Sequence, residues 1–264
     1  MDKFGYIRGR RGPPGPAGKD AFDMAGWIPK ALLKMFRENS DCSFYFKSET
    51  DCIWYDEKKQ PIGLLNHGNS DFNAMCLSHF HKPVHIHGKF YALPLDHTIY
   101  KISNIGTALI EPSIIFVALT FKISRELEPG KDYIIFSNNT GSRGITISSK
   151  AINILGAQAR QELTYDAAEW NTMLIQRSAI SDEEDRCFFY LNERRGFFRP
   201  QKYEEESRDL YIGGHPERGE CAPIHLTRFD VYQRAWSGTG KIDNYLIPRE
   251  ICELILNDIM INDM

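Results

Sequence analysis

The chain has 264 residues, of which 42% are hydrophobic and 25% are charged. This composition is typical of globular proteins and excludes a wholly disordered chain. The net charge of −3 lacks the basic excess that binding to a phosphate backbone needs, so nucleic acid is not an expected partner. No apolar run approaches the roughly 20 residues of a membrane-spanning helix, so no membrane span is expected.

The N-terminal residues contain no apolar stretch of signal-peptide length. Two explanations are open: the chain is not exported by that route, or the sequence is a mature or excised piece. The six cysteines include no Cys-x-x-Cys pair, which argues against a zinc ribbon or a thioredoxin-type redox site. Their even number permits disulfides, but free buried thiols fit at least as well.

A collagen-like stalk is predicted for residues 1–20. Glycine recurs at every third position from Gly9 to Gly18, and Pro13 and Pro14 fill both positions between two of these glycines. Because only glycine fits the axis of a collagen triple helix, this register predicts a homotrimer. The alternative is a flexible Pro/Gly-rich leader. The stalk residues of the predicted trimer are Gly9, Gly12, Gly15 and Gly18.

An amphipathic helix is predicted for residues 21–40. Its apolar residues follow the i, i+3, i+4, i+7 spacing of one helix face, and Pro29 lies near the first turn, where helices accept proline. The helix either packs on its own domain or forms a neck with the helices of two other chains. The residues of that neck are Ile28, Leu32, Met35 and Phe36.

A β-sandwich head is predicted for residues 41–264. Residues 42–103 give only weak strand signals, in short apolar pieces between polar turns. From residue 114 onward, β-branched and aromatic runs alternate with turn clusters, as in all-β sandwiches. The predicted strands are residues 114–124, 133–136, 144–148, 152–155, 170–176, 187–191, 210–212 and 224–232. The last segment is predicted to be a closing helix that begins at Pro248. The alternative is a terminal strand.

Two antiparallel sheets packed face to face would bury one side of each strand. The residues predicted to form this core are Phe116, Leu119, Ile135, Ile147, Trp170, Leu174, Phe189, Ile212 and Val231.

The order of seven strand segments in residues 104–236 resembles a laminin-G or concanavalin-A-like lectin domain. In that family a tryptophan opens a strand, as Trp170 does here, and a short hairpin follows, as at residues 192–196. A strand ending in Gly213 and Gly214 then precedes the last core strand, as the family pattern requires. The resemblance implies a mostly β fold of jelly-roll type that recognises a glycan or a protein through loops at one rim, sometimes through calcium.

Aromatic and basic side chains gather near residues 192–203 and at the end of the last predicted strand. Such side chains suit stacking on sugars or contact with proteins. The alternative is that they belong to the core or to a hairpin. The candidate rim residues are Arg194, Arg195, Phe198, Tyr203 and Trp236.

Four of the eight histidines fall within residues 79–87. On a strand, His79 and His81 would face the same side, so each His-x-His pair could chelate a metal ion. The alternative is a histidine-rich strand pair without metal. The candidate ligands are His79, His81, His85 and His87, and the candidate ions are zinc and calcium, although no calcium ligands of the resembled family match here.

No motif for catalysis is present. The sequence lacks a nucleophile elbow, a Walker loop, a dinucleotide fingerprint and the Glu-x-Asp-x-x-Glu run of sandwich glycosidases. We therefore expect no enzyme, but a trimeric recognition protein, extracellular or on a virion surface, that binds a glycan or a protein. The alternatives are a structural or attachment protein of a virion or fibre and, less favoured, a polysaccharide hydrolase. Residues 138–140 also match a glycosylation sequon.

Overall fold

The computed structural model is all-β in the residues that it describes. They are residues 42–48, 51–68, 72–86, 90–103, 105, 114–159, 161–178, 186–192, 194–199, 209–218 and 220–234. None of them lies in a helix, so a helix that could cross a membrane is absent from this part of the chain. The predicted stalk, neck and closing element lie outside the described residues.

Eighteen strands make up the described part of the chain. They are β1 Cys42–Lys47, β2 Ile53–Tyr55, β3 Pro61–Leu64, β4 Ala74–Cys76, β5 Val84–Ile86, β6 Phe90–Pro94, β7 Tyr100–Ile102, β8 Ile114–Ile123, β9 Tyr133–Asn138, β10 Gly144–Ile147, β11 Ile152–Leu155, β12 Glu162–Leu163, β13 Asn171–Ser178, β14 Arg186–Leu191, β15 Arg194–Phe198, β16 Leu210–Ile212, β17 Glu220–Cys221 and β18 Ile224–Arg234.

The strands form an eight-stranded and a ten-stranded sheet. The eight-stranded sheet has the order β15-β14-β13-β8-β18-β6-β5, and β1 pairs with β18 beside β6. The ten-stranded sheet has the order β12-β11-β10-β9-β16-β7-β4-β3-β2, with β17 on β9. Among the described strands every pairing is antiparallel except that of β17 with β9. The predicted antiparallel β-sandwich is confirmed.

One hydrophobic core lies between the sheets. The Phe136 ring of β9 meets the Phe229 ring of β18 edge to face, with centroids 5.6 Å apart, so the contact joins one sheet to the other. The predicted core residues that lie buried in this core are Leu119, Ile135, Ile147, Phe189, Ile212 and Val231. Each of them lies on a strand whose apolar side chains alternate toward the opposite sheet.

Two predicted core residues lie elsewhere. Trp170 precedes β13 instead of opening it and is only half-buried. Leu174 is fully buried, but its neighbour Met173 faces the core, so Leu174 points to the other face of the eight-stranded sheet, opposite Ala118 of β8. The error arose because apolar character shows that a residue is buried but not on which face. The Phe116 side chain lies outside the described set.

The second face of the eight-stranded sheet is buried at its centre, around β8, β13 and β18. Arg228 and Asp230 lie on it in β18, and an Arg228 Nη2 to Asp230 Oδ2 distance of 2.6 Å joins them in an ion pair with both side chains at most 1% exposed. Thr120 of β8 and Thr172 of β13 are buried beside them, with their hydroxyl oxygens 3.3 Å apart. The centre of this sheet is therefore buried on both faces, and the face away from the core contains these polar groups.

Candidate functional site

Two polar loops meet at one end of the eight-stranded sheet. Residues 164–170 lead into β13, and the turn at Asn192 joins β14 to β15. We use the name rim for the surface of four exposed residues and the half-buried Trp170. The residues of the rim are Thr164, Asp166, Glu169, Trp170 and Arg194.

Asn192 fixes the turn against the first residues of β13. Its backbone is left-handed, with φ of 53°, a conformation that asparagine tolerates better than most residues. Asn192 N–H donates to Thr172 O at 2.8 Å, and Asn192 Oδ1 accepts from Thr172 N–H at 2.8 Å. Asn192 Nδ2 also donates to Asn171 Oδ1 at 3.1 Å. Backbone and side chain together clamp the turn to the neighbouring strand.

The buried side chain of Asn171 binds the loop of residues 164–170 through hydrogen bonds. Its side chain is fully buried, and Nδ2 donates to Asp166 O at 2.6 Å and to Glu169 O at 3.0 Å. Its Oδ1 accepts from Asp166 N–H at 3.2 Å as well as from Asn192. A primary amide offers two donors and two acceptor positions, so this side chain uses its full capacity. The two loops are thus tied through one asparagine.

Further contacts anchor residues 164–170. Asp166 Oδ1 accepts from Ala168 N–H at 2.9 Å, which closes a local turn. Tyr165 donates its hydroxyl to Ser148 O at 2.8 Å, and burial raises the pKa of that phenol. The Arg194 guanidinium donates to Thr164 Oγ1 across the rim. The loop is therefore held by the ten-stranded sheet and by β15 as well as by Asn171.

The chemistry of the rim is that of a polar recognition surface. Arg194 supplies guanidinium donors, and Asp166 and Glu169 supply carboxylate acceptors. Charged groups of this kind make the stronger hydrogen bonds to hydroxyls and carboxylates. Trp170 contributes the apolar ring of its indole at the same place. Because the loops are already fixed by hydrogen bonds, a ligand would order few additional groups on binding.

Of the predicted ligand rim, the structure describes the side chains of Arg194 and Phe198, and they lie in different environments. Arg194 lies on the rim and is exposed. Phe198 does not belong there: it is 6% exposed and packs in the core, while Phe197 is 64% exposed. Side chains alternate along β15, so only one of these neighbours can face solvent. Arg195 lies opposite Tyr190 of β14, with its side chain outside the described set; Tyr203 and Trp236 also lie outside it.

Sequence reasoning missed the residues that build the rim. Asn171 and Asn192 are 21 positions apart, and their contact leaves no periodic signal in the sequence. The only available clue was local: asparagine closes a strand at position 192 and follows Trp170 at position 171. Both positions are typical of asparagine at strand ends and turns.

The histidine-rich segment is not the predicted strand pair. Residues 77–83 lie between β4 and β5 and form no strand. The His79 and His81 rings still contact each other, whereas His85 of β5 packs on Tyr91 with centroids 4.8 Å apart. Within the described residues, no three His, Cys, Asp or Glu side chains are grouped so that they could hold a metal ion. His87 lies outside those residues.

A second ordered loop, residues 138–143, contains the glycosylation sequon. Asn138 is 1% exposed, and its Oδ1 accepts from Ser142 N–H and Arg143 N–H, each at 3.0 Å. His215 supports the loop: Nδ1 accepts from Glu217 N–H, so Nε2 carries the proton and donates to Asn139 O at 2.6 Å. In the folded domain the sequon amide is therefore structural and not accessible for modification.

No protein-family model and no curated protein matches the sequence. The fold is similar to that of solved structures at low sequence identity. The binding domain of Paraclostridial Mosquitocidal Protein 1 has a TM-score of 0.57 at 12% identity over 84% of this chain and 53% of that one. The binding domain of botulinum neurotoxin DC in complex with SialylT has a TM-score of 0.52 at 11% identity, over 83% of this chain and 52% of that one.

An enzyme shares the fold as well. Trypanosoma rangeli sialidase has a TM-score of 0.55 at 7% identity, over 91% of this chain and 39% of the sialidase chain. The chain thus spans about half or less of each of these proteins. The sialidase contradicts the prediction that the chain is not an enzyme: that prediction relied on the absence of motifs of other enzyme classes, and an enzyme with this fold shows that such an absence does not exclude catalysis. A sandwich only positions loops, and the residues on them decide whether chemistry occurs.

Proposed function

We propose that the chain is a glycan-recognition domain and that the rim is its binding surface. The observation that carries the proposal is the hydrogen-bond network of Asn171 and Asn192, which fixes two loops before any ligand arrives. Sugars present hydroxyls that both donate and accept, together with apolar C–H faces. The charged groups of the rim match the hydroxyls, and the Trp170 indole matches the C–H face.

The fold neighbours support a glycan as the ligand class. One is a toxin binding domain in complex with SialylT, and another is a sialidase. Arg194 would pair with the carboxylate of an acidic sugar, and Asp166 and Glu169 would accept hydrogen bonds from neutral hydroxyls. A protein ligand at the same surface, which the sequence also allows, is an outcome of the test below.

The test is binding of the full chain to an array of neutral and sialylated glycans, SialylT included. Trp170→Ala and Arg194→Ala each remove one contact group from the rim. Phe197→Ala and Arg199→Ala are matched controls, since they remove an exposed aromatic and an exposed arginine from the same hairpin outside the rim. Circular dichroism of every variant checks that the sandwich is retained.

The proposal expects glycan binding by the parent and both controls, and at least about tenfold weaker binding by each rim variant, as for loss of a central contact. A parent that binds no glycan on the array contradicts the glycan class. Equal binding by the parent and the two rim variants contradicts the position of the site. Capture of a protein with the same dependence on Trp170 and Arg194 would replace the glycan by a protein ligand.

The proposed assembly is a homotrimer that presents three heads on the stalk of residues 1–20 and the neck of residues 21–40, with residues 104–236 as a laminin-G-like core. Linking three weak sites raises the effective concentration of each and increases avidity without new contacts. The measurement is the native mass of the full chain, expected at three times the chain mass of 30.4 kDa. A monomer at micromolar concentration contradicts the trimer but leaves the glycan proposal standing.

A further inference from the structure

His79 and His81 lie side by side on the segment between β4 and β5. Their ring centroids are 4.9 Å apart with an interplanar angle of 78°. The His79 side chain is exposed and that of His81 is half-buried, so both imidazoles are within reach of an ion from solution. The rim does not include either residue.

The segment is anchored before and between the two histidines. His79 O accepts from Thr98 Oγ1 at 3.1 Å, and the Thr98 residue is fully buried. Ser78 Oγ accepts from Ile99 N–H at 2.9 Å. Between the histidines, Phe80 packs edge to face on the fully buried Tyr100, with centroids 6.2 Å apart. The two imidazoles thus project from an anchored loop.

The separation of the rings fits a shared metal ion. Zinc–imidazole bonds are about 2.0–2.1 Å and tetrahedral zinc directs its ligands about 109° apart, which places two bound imidazole centroids about 5 Å from each other. The observed separation of 4.9 Å is close to this value, and the rings would have to rotate to direct one nitrogen each at the ion. Rotation of an exposed imidazole about its terminal bond is easy, because that torsion has a broad energy profile.

Cys76 is the nearest sulfur in the sequence and is not suited to act as a further ligand. Its Sγ is directed to Ser78 O at 3.5 Å, and burial raises the pKa of the thiol. A metal ligand must be the thiolate, so this environment disfavours coordination. No group of three metal-binding side chains occurs where the structure is described, in agreement with a site of two protein ligands.

We propose that His79 and His81 form a two-histidine site for Zn²⁺ or a similar borderline ion such as Cu²⁺, with water in the remaining positions. Imidazole is a favoured ligand for both ions. Two protein ligands with open positions make an exchangeable site, unlike the closed four-ligand sites of structural zinc. The site does not depend on glycan binding.

The test is a calorimetric titration of the full chain with Zn²⁺ after dialysis against a chelator. His79→Ala and His81→Ala each remove one ligand. His85→Ala is the control, because it removes an exposed histidine of the adjacent strand β5 that packs on Tyr91. Electron paramagnetic resonance of the Cu²⁺-loaded protein counts the coordinated imidazole nitrogens independently. Circular dichroism verifies the fold of each variant.

The expected result for the parent is one bound ion per chain. Binding should be at least about tenfold weaker in each of the two ligand variants, because the second imidazole no longer acts at high effective concentration. Binding should be unchanged in His85→Ala. The Cu²⁺ spectrum should show two nitrogens in the parent and one in each ligand variant. A parent that binds no ion, ligand variants that bind like the parent, or a loss confined to His85→Ala would each overturn the proposal. Glycan binding is expected to persist in all variants.

Discussion

Asn192, in the turn next to the rim, has two separate structural roles. It adopts the left-handed backbone of the turn, and its side chain satisfies the N–H of Thr172, a residue only 2% exposed. Glycine at position 192 could adopt the left-handed backbone but could not accept the hydrogen bond from the Thr172 N–H, and alanine can do neither. The two substitutions therefore separate backbone strain from loss of hydrogen bonds.

We predict that Asn192→Gly lowers the free energy of unfolding by about 1–3 kcal/mol, the cost of leaving a buried N–H unsatisfied. Asn192→Ala should lower it by about 1–2 kcal/mol more, because an L-residue with a Cβ is strained in the left-handed region. Urea unfolding of the two variants beside the parent measures both differences. Equal stability of the glycine and alanine variants would contradict a strained backbone at this turn.

His225 makes the domain sensitive to acid. Burial lowers the pKa of this imidazole from its ordinary value of 6.5, and the nearby positive charge of Lys122 lowers it further. The unfolded chain therefore binds a proton at a higher pH than the folded chain does. Stability that is present above pH 6.5 should be lost as the pH falls below 6.5 and through the lowered folded value.

His225→Gln removes this titrating group and keeps a polar side chain. We predict that the variant loses less stability than the parent between neutral pH and pH 5, as measured by urea midpoints at a series of pH values. The remaining ionisable groups are the same in both proteins, so the difference between the two curves of urea midpoint against pH isolates the contribution of His225. Parallel curves over the whole range would show that its pKa is not lowered in the folded domain.

At the scale of elements, the β3–β4 pairing depends on Gly63. It lies opposite Met75, and a Cβ at this position would stand 2.1 Å from Ala74 O, far inside contact distance. We predict that Gly63→Ala lowers the free energy of unfolding by at least about 2 kcal/mol, as in overpacked sites where only backbone can move.

Gly130→Ala is the matched control for Gly63→Ala. Gly130 has φ of 82°, and no atom lies within 4 Å of the Cβ that alanine would add. This variant should cost only the left-handed strain of about 1–2 kcal/mol. Differential scanning calorimetry compares the two variants. If Gly63→Ala had the same melting temperature as the parent, β3 and β4 would not be closely paired.

The strands that the sequence predicted well are those with long apolar runs. The predicted residues 114–124 correspond to β8 and residues 152–155 coincide with β11, because β-branched runs bounded by turns specify a buried strand locally. The strands before residue 104 gave weak signals, because β2, β4, β5 and β7 have only three residues each. Their pairing with strands distant in sequence stabilises them, and local propensity does not report such pairing.

At the scale of the whole molecule, the sequence predicted the sandwich but little of its candidate site. Apolar residues at every second position indicate that one face of a strand is buried. Leu174, Arg228 and Asp230 nevertheless lie buried on the face away from the core. The rim and the two asparagines beside it join residues 164–171 to Asn192 and Arg194, which the pairing of β13 with β14 brings together. Among the predicted rim residues whose side chains are described, Arg194 lies on this surface, because its position at a hairpin end was visible in the sequence; its contact with a ligand stays a prediction.

The most direct test of the account is to observe where a glycan contacts the domain. We would titrate isotope-labelled full chain with the strongest glycan from the array and follow its backbone amide and Trp indole resonances by nuclear magnetic resonance. We predict shift changes concentrated at residues 164–172, Asn192 and Arg194, with the Trp170 indole among the largest. Changes located away from the rim, or none at saturating glycan, would contradict the proposal that the two asparagine-linked loops form the binding surface.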